Sequence, residues 1–421
     1  MKASIRKSKI AGRVVAPSSK SYSIRGLICA ALARGESEII DPLGSDDTEA
    51  CLDVLGKLGI RVTQDKNSWK VAGGEFRAPD TDLYCRESAA TMRFMTAVCA
   101  LVPGKCRLTT APSLSRRPIK PLIYALRQLG IDYIFDDEQA QVTIKGGRLK
   151  GGIAELPGNI SSQFVSALLF ISPLADEGTK IRLTTPLESR PFVSMTLECL
   201  DAFGVKVTST PDLREFRTSR QSYQPTRYRV EGDWSSASYL LAMGAMSGEV
   251  EVQNLNPESL QGDKAILDFL QEMGADITTG HNSITVKKSR LKAIKADLND
   301  CIDLLPTMAV LAAAADGVSE FTGIERARLK ESDRPSALRE GLEAMSIKVT
   351  EEKKRLIITG STPKGAVIDT RGDHRIAMAF SLLGLNCGET IIDNAECVAK
   401  TYPEFWEILR SIGGEVKING Q

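Results

Sequence analysis

Residues 55–62 read LGKLGIRV, and variants of this stretch recur five times: LRQLGIDY at 126–133, LDAFGVKV at 200–207, LQEMGADI at 270–277, LEAMSIKV at 342–349 and LRSIGGEV at 409–416. Each reads as the end of an amphipathic helix, a turn and the start of a strand. The residue after the last apolar helical position is Gly59, Gly130, Gly204, Gly274, Ser346 or Gly413, spaced 67 to 74 residues apart. Five of the six are glycine, which enters the left-handed conformation that ends many helices without steric cost. A period near 70 is too long for a solenoid repeat and predicts complete βα-rich modules.

An apolar segment precedes each of these helices: SIRGLICAALARGE, TMRFMTAVCALVPGK, SSQFVSALLFISPLADEG, SSASYLLAMGAMSGE, LLPTMAVLAAAADG and DHRIAMAFSLLGLNCGE. A short β-like run follows each one, SEII after the first and TIID after the last. A helix with almost no polar face belongs inside a fold, and an amphipathic one at its surface. Each module is therefore expected to hold one inner and one outer helix. The polar stretch STPDLREFRTSRQSYQPTRYRVEGD separates modules three and four. It divides the chain into halves of three modules, with a crossover near Glu231–Asp233. If the halves face each other, six inner-helix N-termini line a cleft.

Composition narrows the function. Hydrophobic residues make up 42% and charged residues 25%, ordinary globular values, and the net charge is +1. No global field attracts nucleic acid or a membrane, so basic function must be local. The start MKASIRKSKIAGRVV lacks the apolar core of a signal peptide, and no run of about 18 apolar residues predicts a membrane span. The nine cysteines are scattered with no CxxC pair. That fits reduced thiols in a cytoplasm, packed as small core hydrophobes. No phosphate loop, dinucleotide fingerprint, nucleophile elbow or metal-ligand spacing is present, so no metal or cofactor is expected.

The inner-helix starts carry the most telling side chains. They are Lys20, Ser21 and Arg25; Glu87, Ser88 and Arg93; Ser161, Ser162 and Gln163; Asp233, Ser235 and Ser236; Asp303; and Asp373, His374 and Arg375. Serine and aspartate are ordinary N-caps. Lysine and arginine are not, because the helix dipole disfavours cations there. Near the second helices stand Arg117, Lys330, Arg334 and Lys400. Any one of these cations reads as a solvated surface group, but their recurrence at matching positions predicts a site for anions. Asp303 and Glu331 lead as proton-transfer groups, with Asp47 and Asp373 behind them. Each also reads as a cap or an ion-pair partner. His281, in TGHNS, is expected at the surface, and His374 is the better functional histidine.

These residues sit in motifs spread over the whole chain: APSSKSYSIRGL, ESAATMRFMTA, SRRPIKPL, NISSQFVSALL, YRVEGDWSSASYLLA, LQGDKAI, IDLLPTMAVLAAAA, LKESDRPSAL, DHRIAMAFSL and AKTYPEF. The chain closely resembles the 3-phosphoshikimate 1-carboxyvinyltransferase (EPSP synthase) family. The resemblance implies an α/β enolpyruvyl-transferase-type fold of six βαβαββ modules, three per domain, with inner helices pointing at an interdomain cleft. It implies a discontinuous first domain (1–16 plus 232–421), a second domain (17–231) and hinge crossings near 14–18 and 230–234. It further implies transfer of the enolpyruvyl group of phosphoenolpyruvate to the 5-hydroxyl of shikimate 3-phosphate, without metal or cofactor. A cytoplasmic monomer with small-molecule substrates is expected, with no nucleic-acid or membrane partner.

By the same resemblance, Lys20, Ser21, Arg25, Ser161, Ser162, Gln163, Ser189, Asp303, Arg326 and Lys330 would hold shikimate 3-phosphate. Lys20, Ala89, Arg93, Arg117, Gln163, Arg334, Arg375 and Lys400 would hold or border phosphoenolpyruvate. Asp303 would serve as base and Glu331 as acid, with Lys20, Lys400, His374 and Asp373 completing the catalytic group. Several positions depart from the commonest family pattern. Ala89 stands where many members have glycine, and Glu87 where many have asparagine; both suggest reduced sensitivity to glyphosate, which occupies the phosphoenolpyruvate site. Phe192 replaces a tyrosine that touches the shikimate ligand, and Arg326 aligns near an asparagine ligand.

Two other readings compete. The sister transferase acting on UDP-N-acetylglucosamine usually carries a reactive cysteine in the loop occupied here by APSLSRRPIKPL, which has none. A nucleic-acid-binding repeat protein would need stacking aromatics, yet aromatics are only 5%.

Overall fold

The computed structural model describes residues 1–420. All six marker residues have positive φ: 89° at Gly59, 90° at Gly130, 80° at Gly204, 85° at Gly274, 64° at Ser346 and 98° at Gly413. The helix-ending turn read from the sequence is thus formed six times. Ser346 makes it without glycine, at the steric cost of a β-carbon in the left-handed region.

The chain forms two compact domains, one from Ser18–Glu231 and one from Met1–Pro17 together with the chain from Gly232 onward. Each contains three four-stranded sheets of one pattern. Module two shows it plainly. Strand Leu83–Tyr84, inner helix Ala89–Val98, strand Gly104–Thr109, outer helix Lys120–Gln128, and the hairpin Asp132–Asp136 with Gln141–Gly146 follow in order. Leu83–Tyr84 pairs in parallel with Gly104–Thr109, as a helical crossover requires, and the remaining pairs are antiparallel.

Modules one, four and six depart from this chain order. Strand Ile10–Val15 precedes the first inner helix yet pairs with Gly248–Gln253 of module four, with Gly248 opposite Ile10 and Gln253 opposite Val15. Conversely, Arg227–Arg229 precedes the fourth inner helix yet pairs with Glu38–Ile40 of module one. Lys2–Ile5 lies between Thr390–Asp393 and Val416–Asn419 in module six. Local pattern cannot reveal such exchanges, because each strand's hydrogen-bond partner lies over 180 residues away.

The inner helices are Lys20–Leu32, Ala89–Val98 and Ser162–Ile171 in one domain, and Trp234–Ser247, Leu305–Ala314 and His374–Cys387 in the other. Every residue of Trp234–Ser247 is buried. Sequestering each Leu or Met side chain from water contributes about 1.5–3 kcal/mol, so a helix this apolar is driven to the centre. Each domain has its own apolar core. In the first, Phe94 and Phe170 meet edge to face with centroids 5.1 Å apart. In the second, Ser238 and Thr307 hydroxyls join two inner helices at 2.9 Å. Seven cysteines are buried and two are half-buried. Among the described residues, no helix is long and apolar enough to cross a membrane.

Candidate active site

In the Ser18–Glu231 domain, Lys20 is the first residue of its helix, capped by Ser19, whose hydroxyl accepts from the Tyr22 amide. The Lys20 ammonium lies 2.8 Å from the Asp47 carboxylate on helix Asp46–Lys57. That acidic neighbour offsets the unfavourable dipole end.

Arg25 needs a different account from the one its sequence position suggested. It lies in the second turn, where the dipole has little hold. Its side chain reaches back toward the helix start because helical Cα–Cβ bonds tilt that way. Nη1 donates to the Ser21 carbonyl at 2.9 Å, Nη2 to the Phe192 carbonyl at 3.0 Å, and Nε to Thr196 Oγ1 at 2.9 Å. The guanidinium also stands 5.4 Å from the Phe94 ring centroid and 5.9 Å from that of Phe192. It is buried, burial pulls its pKa down, and these partners are all neutral. A desolvated cation so placed strongly favours an incoming anion.

Arg93 is likewise in its second turn rather than at the helix start. Nη1 donates to Gln163 Oε1 at 2.8 Å and Ser161 Oγ at 3.1 Å, and Nη2 to the Pro118 carbonyl at 3.1 Å. It thereby ties the start of helix Ser162–Ile171, capped by Ser161, to the loop carrying Arg117. Arg117 lies three residues before helix Lys120–Gln128, not at its first turn, and lines a small cavity with Arg93. Ser162 is buried beside Gln163. Ser189 caps helix Arg190–Ala202 at φ 52°, a conformation costly for serine and often found at ligand sites. Ala89, buried, opens its helix just after the cap Ser88. Glu87 is exposed and accepts from Ser113 Oγ at 2.7 Å.

In the other domain Arg334 is the centre of a charge network. It opens helix Arg334–Ala344, capped by Asp333, and its side chain is 1% exposed. Nη1 meets Asp303 at 2.7 Å, Nη2 meets Glu331 at 2.6 Å, and Nε meets Asp373 at 2.8 Å. Burial lowers its pKa, but the three carboxylates outweigh burial and raise it. Asp303 also faces Lys330 at 3.2 Å and Arg375 at 3.6 Å. Burial raises its pKa, yet Arg375, Lys330 and Arg334 together hold it well below the usual carboxylate range. Asp303 is therefore ionised at neutral pH. Glu331 reaches Lys400 at 3.9 Å through its other oxygen.

Asp373 caps helix His374–Cys387, accepting from the Arg375 amide at 3.0 Å and from Ser332 Oγ at 3.0 Å. Its second task, fixing Arg334, explains why a cap residue is completely buried. His374 is buried with Nδ1 3.8 Å from Asp373. Arg375 is buried too; burial lowers its pKa, but Asp303 with Tyr239, Asp263 and Asp233 raises it. Lys400 ends a 3-10 helix and precedes helix Phe405–Ser411 by five residues, so it too is no helix-start residue. Arg326 donates to Asn299 Oδ1 at 2.9 Å and pins that loop. His281 is exposed. Asp263 and Thr196 contribute contacts that sequence reasoning did not assign. Asp263 stood inside a quoted motif, LQGDKAI, but nothing local marked its carboxyl as buried beside Ser235.

Among the described residues, no group of three or more histidine, cysteine or acidic side chains could hold a metal ion. Two sets of cations and hydrogen-bond donors are thus assembled, one per domain. Only the second set holds paired carboxylates.

The family model described as EPSP synthase (3-phosphoshikimate 1-carboxyvinyltransferase) matches residues 5–409. The chain belongs to the EPSP synthase family. A 3-phosphoshikimate 1-carboxyvinyltransferase from Dehalococcoides mccartyi is 51% identical over 418 residues, spanning 99% of both chains. One from Methanocaldococcus jannaschii is 39% identical over 97% of both. The solved EPSP synthase of Acinetobacter baumannii superposes with a TM-score of 0.85 at 27% identity, over 99% of this chain and 100% of that one. The enolpyruvyl transferase NikO of Streptomyces tendae, at 17% identity and TM-score 0.79, covers 99% of this chain and 98% of its own, and shares the fold.

Proposed function

We propose that this chain transfers the enolpyruvyl group of phosphoenolpyruvate to the 5-hydroxyl of shikimate 3-phosphate and releases phosphate. The observation that carries the reading is the pair Asp303 and Glu331 held on one buried guanidinium, Arg334, among Lys330, Arg375 and Lys400. Two anionic substrates need many cations, and addition across a carbon–carbon double bond needs an acid and a base on fixed supports.

Lys20, Ser21, Arg25, Ser161, Ser162, Gln163, Ser189, Asp303 and Lys330 hold shikimate 3-phosphate, with Arg326 supporting the loop beside them. Lys20, Arg93, Arg117, Gln163, Arg334, Arg375 and Lys400 hold phosphoenolpyruvate, and Ala89 borders it. Glu331 gives a proton to the methylene carbon, leaving the adjacent carbon cation-like. The 5-hydroxyl oxygen bonds to that carbon as Asp303 takes its proton. Glu331, now a carboxylate, takes a proton back from the new methyl group, the double bond re-forms and phosphate departs. Lys20 and Lys400 assist the proton transfers, while Asp373, with His374 beside it, keeps Arg334 and the start of the Arg375 helix in place.

Asp303 is a weak base while three cations surround it. Substrate phosphate and carboxylate groups draw Lys330, Arg334 and Arg375 toward themselves and remove that counter-charge. The Asp303 pKa then rises toward what proton abstraction requires.

Purified protein mixed with both substrates is expected to release inorganic phosphate. Silence with this pair, together with release from phosphoenolpyruvate and UDP-N-acetylglucosamine, would overturn the assignment. Asp303→Ala and Glu331→Ala are each expected to slow turnover about 10²-fold or more. Near-native rates in both would refute the proton roles.

A further inference from the structure

Asp263 has no part in the roles above. It lies in the short 3-10 helix Gly262–Ala265, and its residue is 4% exposed. One carboxyl oxygen, Oδ2, accepts a hydrogen bond from Ser235 Oγ. The other, Oδ1, is buried without a hydrogen-bond partner among the described residues. Its neighbour Lys264 turns away, donating to the Pro257 carbonyl at 2.7 Å.

Ser235 Oγ also accepts from Arg375 Nη2 at 3.2 Å, and the same Nη2 lies 3.6 Å from Asp303 Oδ2. A line of contacts therefore runs Asp263–Ser235–Arg375–Asp303. The ionisable and charged groups facing Asp263 come from three elements: Asp233 at the start of helix Trp234–Ser247, Arg375 on helix His374–Cys387, and Cys301 with Asp303 on the segment between them. Two are carboxylates, and the single cation is already engaged by Asp303.

A buried carboxylate without its own cation is costly, and the inexpensive state is the neutral acid. With the proton on Oδ1, Oδ2 still accepts from Ser235, whose lone pairs then face Arg375. We propose that Asp263 is a positioning residue, resting as a neutral acid, whose ionisation loosens the grip of Arg375 on an anionic substrate. This rests on the reading that Arg375 holds phosphoenolpyruvate. Burial first, then Asp303 and Asp233, push the Asp263 pKa up to about 7, against the pull of Arg375 and Ser235. The change of state thus falls within the working range. Below it Arg375 faces one carboxylate. Above it a second negative charge competes with the ligand, and ligand binding in turn favours the protonated form.

The test compares native protein with Asp263→Asn, which keeps the shape and neutrality of the proposed resting state. KM for phosphoenolpyruvate is measured between about pH 6 and about pH 8.5, on either side of the shifted value and far from the unperturbed one. The phosphate of the substrate titrates equally in both proteins, so any difference belongs to the enzyme. Native KM is expected to rise about threefold or more relative to the variant across this range, with kcat changing in parallel in the two. Parallel KM profiles would overturn the proposal while leaving the reaction itself intact.

A second readout needs no turnover and so separates this proposal from the assigned reaction. A carboxyl whose pKa is higher folded than unfolded favours folding most at low pH. That advantage shrinks as pH rises from about 4 to about 7. The Tm of native protein should therefore fall relative to Asp263→Asn over this interval. A constant difference overturns the proposal, as does a variant that cannot fold at pH 6, where asparagine should substitute well.

Discussion

Replacing Arg334 with alanine would leave Asp303, Glu331 and Asp373 facing one another without the guanidinium that touches all three at 2.6–2.8 Å. Asp373 is completely buried and Asp303 nearly so. Removing one member of a buried ion pair costs about 3–5 kcal/mol, mostly because the remaining charge is stranded. Lys330 and Arg375 still serve Asp303, so the loss falls mainly on Asp373, and about 4 kcal/mol is expected. In a domain of this size about 1 kcal/mol moves Tm by about 2–4 °C, giving a drop of about 8–16 °C. Calorimetry of the ligand-free protein at neutral pH measures it. Arg339→Ala is the control. Arg339 is one-third exposed and bridges Glu343 and Glu351, and its loss should cost under about 1 kcal/mol.

Two further arms check the cause. Adding Asp373→Asn to Arg334→Ala removes the stranded charge and should restore about half the loss, because asparagine can still accept from the Arg375 amide. Acidification should also narrow the gap. In native protein the depressed pKa of Asp303 contributes stability above the ordinary carboxylate range, which is lost only as pH falls through the lowered folded value. In the variant Asp303 has lost one of the cations that lower its pKa and takes a proton at higher pH, so the penalty is largest near neutrality. A Tm change below about 2 °C, or a penalty that grows on acidification, would refute the view that Arg334 holds this cluster together.

Ala89→Gly removes a methyl group at the first position of helix Ala89–Val98. Glyphosate inhibition at a fixed phosphoenolpyruvate concentration should strengthen, and unchanged inhibition would show that this methyl group does not narrow the site. Gly341→Ala tests packing away from the chemistry. A β-carbon there would sit 2.3 Å from Phe380 Cζ, so a loss of about 1–3 kcal/mol is expected in denaturant titration, and a neutral result would show that the ring can move aside.

Much of the fold was legible in the chain because its signals are local. A helix as apolar as Trp234–Ser247 has one place to go, and six glycine or serine markers announce six left-handed turns. The candidate site was legible in part for the same reason, since Ser88, Ser161, Asp233 and Asp373 follow capping rules that need only the next three residues. The dipole argument singled out Arg25 and Arg93 for an incomplete reason. Both lie beyond the first turn, and their setting comes from carbonyls, hydroxyls and rings distant in sequence.

By itself, then, the sequence determined the module, its six-fold recurrence, the inner and outer helices, and the cations and carboxylates available for chemistry. Periodicity and capping act over a few residues, so one chain suffices to read them. Tertiary structure decided which strand completes which sheet, that Arg334 gathers three carboxylates, and that Asp263 is buried one hydroxyl away from Arg375. Those outcomes depend on hydrogen bonding, charge and desolvation among groups far apart in the chain, 140 residues for Ser235 and Arg375 and 238 for Ile10 and Gly248. Coulomb and burial energies follow distance in space, and only the folded chain sets that distance.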